Sequence, residues 1–197
     1  MVQGKICSLP TSLTGNSPMV NLKTFYFNPY RECTYVLTDD AKHAIIIDAG
    51  MYEEREQQRL ADYIKQEQLT PIALLITHAH PDHVCGLSFI EQTYNLTAIV
   101  QPAEGQLDIP YFNIQVIATP GHKEDAVCYY LPEENILFTG DTLFQESIGR
   151  TDLPGGDMHT LILSLNKLVI LPENTKIYPG HGYPTTIAHE KQYNPYL

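Results

Sequence analysis

An apolar segment at residues 72–76 runs directly into a histidine-rich stretch, THAHPDH, at residues 77–83. Three imidazoles and one carboxylate therefore fall within six positions at the end of a strand whose composition predicts burial. Polar groups are costly to gather beside a core unless something binds them. Imidazole and carboxylate are ligands for zinc and its first-row neighbours. The stretch therefore predicts a strand-to-helix turn whose alternate side chains point at two adjacent metals.

Three later segments repeat the order of apolar strand, turn residue and metal-ligand type. The ligand types are His122, Asp141 and His181, which follow the strand patterns at residues 114–119, 136–139 and 176–178. Gly140 and Gly180 stand directly before two of them, where the backbone freedom of glycine allows a side chain to be re-aimed into a cleft. Together with the histidine-rich stretch, these segments indicate one site.

The order His-x-His-x-Asp-His, then His, Asp and His, resembles the pattern of the metallo-β-lactamase fold superfamily. The resemblance runs from about residue 21 to the C-terminus. It is nearest to single-domain proteins similar to glyoxalase II, the hydroxyacylglutathione hydrolases, through GDTLF at 140–144, GRTDLPGG at 149–156 and YPGHG at 178–182. The resemblance implies an α/β (α+β) fold, a four-layer αβ/βα sandwich of two mixed β-sheets flanked by helices.

The resemblance also implies two divalent metal ions held by seven side chains, called here the seven predicted ligands. The first group is His78, His80 and His122; the second group is Asp82, His83 and His181; Asp141 bridges the two. Two dications about 3.5 Å apart repel by roughly 19 kcal/mol at an effective dielectric near 20. Ionised Asp82 and Asp141, the predicted catalytic residues, offset part of this repulsion together with a shared hydroxide. Zinc is the expected metal, with iron or manganese as alternatives.

The activity that the resemblance implies is hydrolysis of a small-molecule thioester, such as S-lactoylglutathione, by a metal-bridging hydroxide. A thioester fits because its thiolate leaving group, with a pKa of roughly 8.5, needs little help from a general acid. The alternative is an iron-dependent persulfide (sulfur) dioxygenase on the same fold. Enzymes of that kind bind one iron through two histidines and an aspartate. A lactonase and a non-catalytic binding relative are further alternatives. Asp141 stands at the position of the usual β-lactamase cysteine ligand, which argues against β-lactamase activity.

Four further residues are candidates for supporting the site or contacting the substrate. Asp48 is expected to hydrogen-bond a ligand histidine from behind, or to serve as a turn or cap residue before the next helix. Arg150 is expected to pair with Asp152, with a substrate contact as the alternative. Lys123 lies in a charged turn where many relatives have Thr-Pro-Gly-Ser, and it either attracts a substrate carboxylate or pairs with its acidic neighbours. Tyr183 either lines the pocket or packs in the core.

The resemblance has one large departure. Two-domain glyoxalase II enzymes carry a helical domain after the last histidine, which supplies much of the glutathione pocket, whereas sixteen residues follow His181 here. The metal ligands are present, so the expectation of metal chemistry stands and the thiol carrier is left open.

Composition bounds the partners and the location. The chain of 197 residues fits one domain, expected at 19–197, after a flexible extension at 1–18 that is rich in serine and threonine. A net charge of -11, with twelve unclustered lysines and arginines, argues against a nucleic-acid partner. The absence of a long apolar run or secretory leader predicts a cytoplasmic protein without a membrane partner. The expected partner is a small-molecule acyl-thiol substrate, and the sequence carries no signal of oligomeric state.

Periodicity predicts strands near 20–27, 34–37, 44–47, 72–76, 97–100, 114–118, 126–131, 136–138 and 176–178. It predicts helices near 52–69 and 86–94, and a third that begins after the N-cap Asp157 and ends before Pro172. The four cysteines lack C-x-x-C spacing and are expected to be reduced thiols in the interior. Cys85 also has a metal-ligand alternative because it follows His83 closely.

Overall fold

The computed structural model describes residues 20–197, and the extension predicted for 1–18 lies outside them. The strands are β1 Asn21–Phe27, β2 Glu32–Thr38, β3 His43–Ile47, β4 Thr70–Ile76, β5 Ala98–Val100, β6 Gly105–Ile109, β7 Phe112–Ala118, β8 Val127–Leu131, β9 Ile136–Gly140, β10 Leu143–Phe144, β11 Ser147–Ile148, β12 Lys176–Pro179 and β13 Thr185–Thr186. The helices are α1 Glu54–Gln66, α2 Pro81–Val84, α3 Leu87–Tyr94, α4 Met158–Leu168 and α5 Ile187–Tyr193.

Every strand and helix predicted from periodicity is present. The elements that periodicity did not predict are β6, β10, β11, β13, α2 and α5. Most of them are too short to show a period. Strand β6 has five residues and includes Gly105, Gln106 and Asp108, which are poor strand formers, so its place at the edge of a sheet is set by pairing with β7.

The strands form two mixed sheets and a small hairpin. The first sheet has the order β1-β2-β3-β4-β5, with antiparallel pairs from β1 to β3 and parallel pairs from β3 to β5. The second has the order β13-β12-β9-β8-β7-β6, in which only β12 and β9 are parallel among the described residues. Strands β10 and β11 pair only with each other in the same part of the chain.

Side-chain alternation explains why there are four layers. On β2, Tyr35 and Leu37 join the core between the two sheets, while Val36 points to the opposite face and joins the core under α1 and α3. The second sheet repeats this arrangement: Tyr129 faces the inter-sheet core and Cys128 faces the core under α4 and α5. Both faces of the two sheets are therefore covered. The predicted four-layer sandwich of two mixed sheets flanked by helices is confirmed.

The two longest helices have clear start signals and one buried face. Glu53 and Glu56 form a capping box at the start of α1, and Leu60 and Ile64 are buried against the first sheet. At the start of α4, Asp157 accepts a hydrogen bond from the Thr160 amide at 2.7 Å, as expected for an N-cap. Both helices lie on the outside of the sandwich, so they leave the strand ends open.

Cys33 and Cys128 are buried free thiols, as expected, whereas Cys85 is exposed. The expectation of an interior Cys85 is wrong, because the residue follows the short helix α2 at the surface and donates its thiol proton to the Gly50 carbonyl at 3.1 Å. Cys7 lies outside the described residues. None of the helices within residues 20–197 is both long enough and apolar enough to cross a membrane.

Candidate metal centre

The seven predicted ligands come from four strand ends of both sheets. His78 and His80 follow β4, and the same turn continues into α2, which carries Asp82 and His83. The other three follow β7, β9 and β12 and are His122, Asp141 and His181. Because β9 and β12 are parallel neighbours, their carboxyl ends meet at one edge of the second sheet. The edge faces the turn after β4, and all seven side chains converge there.

In the first group, three imidazole nitrogens point at one another. His80 Nδ1 lies 3.1 Å from His78 Nε2 and 2.8 Å from His122 Nε2. His78 and His122 are buried and His80 is half-buried. These three nitrogens lie within 4.8 Å of one another, so one ion could contact all three. Three neutral imidazoles are a common ligand set for zinc.

The second group combines two imidazoles with one carboxylate. Asp82 Oδ2 lies 3.2 Å from His181 Nε2 and 3.8 Å from His83 Nε2. His83 is fully buried, whereas the side chains of Asp82 and His181 are about one-quarter exposed or less. The group could therefore hold a second ion on the side of the cluster that opens to solvent.

Asp141 lies between the two groups. Its Oδ1 is 3.3 Å from His83 Nε2, and its Oδ2 is 3.5 Å from His122 Nε2 and 3.6 Å from His181 Nε2. One carboxylate thus faces imidazoles of both groups, which is the placement that the predicted bridging role requires. The distances describe a His/Asp cluster with the composition of a binuclear metal site.

Two buried atoms test whether the cluster fits cations. His83 Nε2 and Asp141 Oδ1 are both buried and have no hydrogen-bond partner among residues 20–197, although they face each other. Unsatisfied buried polar atoms are rare because each costs roughly 1–3 kcal/mol. A cation bound between them would satisfy both. The donor set of imidazole nitrogens and carboxylate oxygens suits first-row divalent metals, so the residues fit the implied ions.

Three of the histidines are fixed from behind through the other ring nitrogen. His122 Nδ1 donates to the Arg150 carbonyl at 2.7 Å, and His181 Nδ1 donates to the Tyr30 carbonyl at 3.1 Å. His83 Nδ1 lies 2.9 Å from Asp48 Oδ2. Because Nδ1 is the donor in these contacts, the neutral form of each ring has its Nε2 lone pair aimed into the cluster. Metal-binding histidines characteristically have such contacts.

Asp48 occupies the position expected of a support behind His83. It is 1% exposed and accepts hydrogen bonds from the Thr77 amide and the Thr77 hydroxyl, both at 2.7 Å. The alternative role as a helix cap does not apply, since α1 is capped by Glu53. Asp48 therefore ties the end of β3, the end of β4 and the ring of His83 together.

Charge within the cluster keeps its central carboxylate ionised. Burial by itself disfavours the carboxylate form of Asp141, but the charge of His83 and of the other neighbouring histidines holds the pKa of Asp141 below its usual value. For His78, burial and then the proximity of His83 hold the pKa below its usual value, which favours the neutral ring. Asp141 is thus favoured as the carboxylate and His78 as the neutral ring, which are the protonation states that metal binding needs.

The two glycines that precede ligands act in different ways. Gly140 has φ +47°, so the predicted backbone freedom is used there. Gly180 does not have a positive φ. Its lack of a side chain matters instead, because a Cβ at this position would collide with Asp141 Oδ1 and would lie 2.6 Å from His83 Cε1. The expectation of a re-aimed backbone is therefore wrong for Gly180, where close approach of the chain is the reason for glycine.

Glu32 is a buried acid beside the site that sequence reasoning missed. It is fully buried at the start of β2, and its carboxyl group lies within 4.8 Å of ligand-type atoms of Asp48 and His83. Burial raises the pKa of Glu32 well above its usual value, which favours the protonated form. Thr34 Oγ1 lies 2.8 Å from Glu32 Oε2 and accepts from the Gly50 amide at 3.0 Å. An acidic residue in an otherwise buried strand was the available signal.

The other predicted site residues occupy the surroundings of the cluster. Arg150 forms a two-pronged ion pair with Asp152 at 2.7 and 2.6 Å, as expected. Lys123 forms an ion pair with Asp125 at 2.8 Å, in agreement with the second of its two predicted roles, pairing with an acidic neighbour. Tyr183 is 74% exposed and lines a shallow recess with Tyr30, so its core-packing alternative is wrong.

The cluster opens into a cleft of about 510 Å³. Besides five of the predicted ligands, it is lined by Tyr30, Pro81, Arg150 and Leu153. Its size is in the range of roughly 300–1,000 Å³ that small-molecule sites occupy. The arrangement therefore offers a small-molecule cleft whose floor is the His/Asp cluster.

The model of the metallo-β-lactamase superfamily matches residues 30–112 and 112–181. The chain belongs to the metallo-β-lactamase superfamily. Among curated members, the probable metallo-hydrolase YqgX of Bacillus subtilis is 33% identical over 83% of this chain and 90% of its own. Hydroxyacylglutathione hydrolase GloC of Haemophilus influenzae is 32% identical over 90% of this chain and 98% of its own. The predicted family, with glyoxalase II-like relatives, is confirmed.

Solved structures of the superfamily include three similar proteins with different descriptions. BLEG-1, described as a B3 metallo-β-lactamase, is 36% identical with a TM-score of 0.85 and covers 90% of this chain and 99% of its own. TTHA1623 in a di-iron-bound form is 31% identical with a TM-score of 0.80, covering 89% and 100%. ETHE1 from Myxococcus xanthus is 30% identical with a TM-score of 0.81, covering 89% and 83%. Superfamily membership therefore identifies a metallo-hydrolase scaffold and leaves the substrate open.

Proposed function

We propose that this protein is a metal-dependent hydrolase that cleaves the thioester of a small acyl-thiol, of the S-lactoylglutathione type. The observation that carries the proposal is the convergence of both ligand groups on Asp141, whose oxygens lie 3.3 Å from His83 and 3.5 Å from His122. The similarity to a protein named hydroxyacylglutathione hydrolase, across nearly the whole of both chains, supports a thioester as the substrate.

The proposed roles follow from the contacts of each side chain. His78, His80 and His122 would hold one ion, Asp82, His83 and His181 the other, and Asp141 would contact both. When bound, the two ions lower the pKa of water towards neutrality and polarise a carbonyl group. The chain itself fixes the geometry, because Asp48 and two backbone carbonyls orient the rings of His83, His122 and His181.

A thioester is a suitable substrate for this cleft because its leaving group does not need a general acid to donate a proton. A thiol with a pKa of roughly 8.5 leaves as a thiolate close to neutral pH, whereas an amine or alkoxide leaving group needs a proton donor. Arg150 is the cation that lines the cleft, and its guanidinium already binds Asp152. Arg150 is therefore proposed to shape the loop first, and a contact between its remaining donors and the substrate is the secondary role.

Zinc is the proposed metal, and a di-iron centre is the principal alternative. The imidazole-rich first group suits zinc, while carboxylates in the second group and at Asp141 also accept iron and manganese. TTHA1623, 31% identical, has been described in a di-iron-bound form, which supports testing iron directly. Elemental analysis of protein purified without added metal distinguishes these ions.

The second candidate function is persulfide oxidation by a single iron, in the manner implied by the resemblance to sulfur dioxygenases. The 30% identity to ETHE1 from Myxococcus xanthus favours keeping it. The second ligand group argues against a single iron, because the ligand atoms of Asp82, His83 and His181 lie within 4.8 Å of one another, as those of the first group do. One iron per chain with oxygen uptake on glutathione persulfide would replace the hydrolase proposal.

The test is a substrate panel on metal-replete protein. We expect release of free thiol from S-lactoylglutathione or another small thioester, and no comparable reaction with a persulfide, a lactone or a β-lactam. The β-lactam is included because BLEG-1 is described as a metallo-β-lactamase. The control is the double variant His80→Ala, His83→Ala. Thioester turnover no higher than in this variant contradicts the proposal.

A further inference from the structure

A second concavity lies beside the metal cleft and has a different chemical character. Its volume is about 340 Å³, and its apolar walls are Pro29, Tyr30, Tyr52, Pro81 and Cys85. We call it the apolar groove. Tyr30 and Tyr52 are 73% and 69% exposed. Large exposed aromatic side chains grouped in a concavity mark binding sites more often than isolated ones do.

The apolar groove adjoins the metal cleft. Tyr30, Pro81 and Asp82 line both concavities, so the two share a wall that includes a predicted metal ligand. A molecule whose reactive carbonyl lies at the cluster would reach the groove by passing one arm over this shared wall. The groove volume is within the range of about 300–1,000 Å³ that small-molecule pockets occupy.

The walls of the groove are held in place by one asparagine. The side-chain amide of Asn28 donates to the carbonyls of Gly50 and Asp82, both at 2.9 Å, and its backbone amide donates to Glu56 Oε1 at 2.9 Å. These bonds tie the β1–β2 hairpin that carries Tyr30 to the turn before α1 and to α2. The backbone around the groove is thus tied together without a ligand, which lowers the cost of ordering it on binding.

The groove and the metal cleft differ in the charge of the residues that line them. Within residues 20–197, the groove is lined by no lysine or arginine, and Asp82 is its only charged lining residue. Arg150 lines the cleft but not the groove. A negatively charged arm in the groove would find no lysine or arginine to pair with, and burying such a charge is costly. An uncharged hydrocarbon arm would instead cover the exposed aromatic surface.

We infer that the apolar groove binds the acyl chain of the substrate, and that this protein prefers thioesters with an uncharged apolar acyl group of several carbons over short hydroxyacyl groups. The inference rests on the proposed hydrolase function and names its substrate class. Burial of a methylene in such a groove favours binding by up to about fourfold per group. We therefore expect kcat/KM to rise from acetyl to hexanoyl thioesters of the same small thiol.

Cys85 provides a readout that does not depend on turnover. Its exposed thiol lies in the groove wall, so a bound chain shields it from iodoacetamide. The probes are acetate, hexanoate and 6-aminohexanoate, added to the metal-loaded full-length protein, with alkylation followed on the Cys85 peptide by mass spectrometry. Hexanoate is expected to slow alkylation at least threefold. Acetate is too short to fill the groove and 6-aminohexanoate carries a charge at its far end, so both are expected to leave the alkylation rate unchanged.

A matched pair of variants locates the effect. Tyr52→Ser removes an aromatic wall and is expected to abolish protection by hexanoate. Tyr111→Ser removes an equally exposed tyrosine, 66% accessible, from the turn between β6 and β7, and is expected to keep protection. Equal protection by all three probes, or full protection in Tyr52→Ser, overturns the inference.

The outcomes separate this inference from the proposed function. Protection by hexanoate without turnover of any thioester overturns the hydrolase and leaves the groove as a site for an apolar chain. Thioester turnover with no dependence on acyl length and no protection of Cys85 overturns the groove alone.

Discussion

His83 of the second group and His80 of the first are held in place to very different degrees. Behind His83, Asp48 is buried and contacts the ring at 2.9 Å while accepting two hydrogen bonds from Thr77. The loop that carries His80 is held by Asp125, which accepts one hydrogen bond from the Ala79 amide at 3.1 Å. Asp125 also binds Lys123 near the surface.

The contrast indicates which part of the centre is in place before an ion binds. His83 is fixed by a buried carboxylate before any ion binds, whereas His80 lies in a half-buried loop held through its backbone. The second group and Asp141 also contain the carboxylates that offset cation repulsion, and the first group contains imidazoles alone. We therefore expect substitutions around the second group to affect metal affinity more strongly than equivalent ones around the first.

The largest effect is expected for Asp141→Asn, which touches both groups. The amide keeps the shape but removes the negative charge that faces His83, His122 and His181. We predict loss of at least one ion and a fall in metal affinity beyond the roughly 100-fold seen for supporting residues. Elemental analysis after dialysis measures it. Two ions retained at full occupancy would contradict the assignment.

A smaller, selective effect is expected for His80→Gln and His181→Gln, which form a matched pair of partly exposed histidines. Each variant removes one ligand from one group only. We predict that each retains close to one ion per chain where the unmodified protein retains two, as measured by titration against a chromophoric chelator. Simultaneous loss of both ions in both variants would show that the two groups are not separate sites.

The supporting carboxylates provide the next test. Asp48→Asn removes the charge behind His83 and is predicted to lower metal affinity 10- to 100-fold. The control Asp125→Asn weakens the Ala79 contact and the ion pair with Lys123, neither of which involves a ligand side chain, and is predicted to lower affinity less than tenfold. Chelator competition on both variants gives the comparison. An equal effect of the two substitutions would remove the proposed difference between the groups.

The smallest effect is expected for Arg150→Gln at the mouth of the cleft. The hydrogen bonds from Arg150 lower the pKa of Asp152 to about 2. A carboxyl group whose pKa is lower in the folded protein than in the unfolded chain stabilises the fold at pH values above its unfolded-state pKa. The contribution of Asp152 to folding stability is therefore fully present above about pH 3.9 and is lost as the pH falls towards 2. In the variant, the pKa of Asp152 should rise towards about 3.9 in an NMR titration, with metal content unchanged. An unshifted pKa would show that the ion pair does not form in solution.

Much of the centre follows from local pattern. Each predicted ligand stands within seven residues of a strand end, and most of these strand ends are visible as apolar runs that proline or glycine follows closely. The helix start at Asp157 is equally local, since its side chain caps an amide three residues away. These features depend on neighbours in sequence, so periodicity and composition are sufficient to predict them.

Contacts between distant segments could not be predicted in this way. Tyr30 and His181 are separated by 151 residues, yet the carbonyl of one fixes the ring of the other. Glu32 lies close to His83 only because β2 passes behind the histidine turn. The surface position of Cys85 follows from the short helix α2, which has too few residues to show a period.

From the sequence alone we could predict the candidate ligands, the order of the strands along the chain and, through the family resemblance, the four-layer sandwich. The packing of distant segments was needed to show how the candidate ligands are supported, why Gly180 cannot carry a side chain, and that an apolar groove adjoins the cluster. The physical reason is that hydrophobic patterning is written into neighbouring residues, whereas support and substrate shape arise where β-strands far apart in sequence pack against each other.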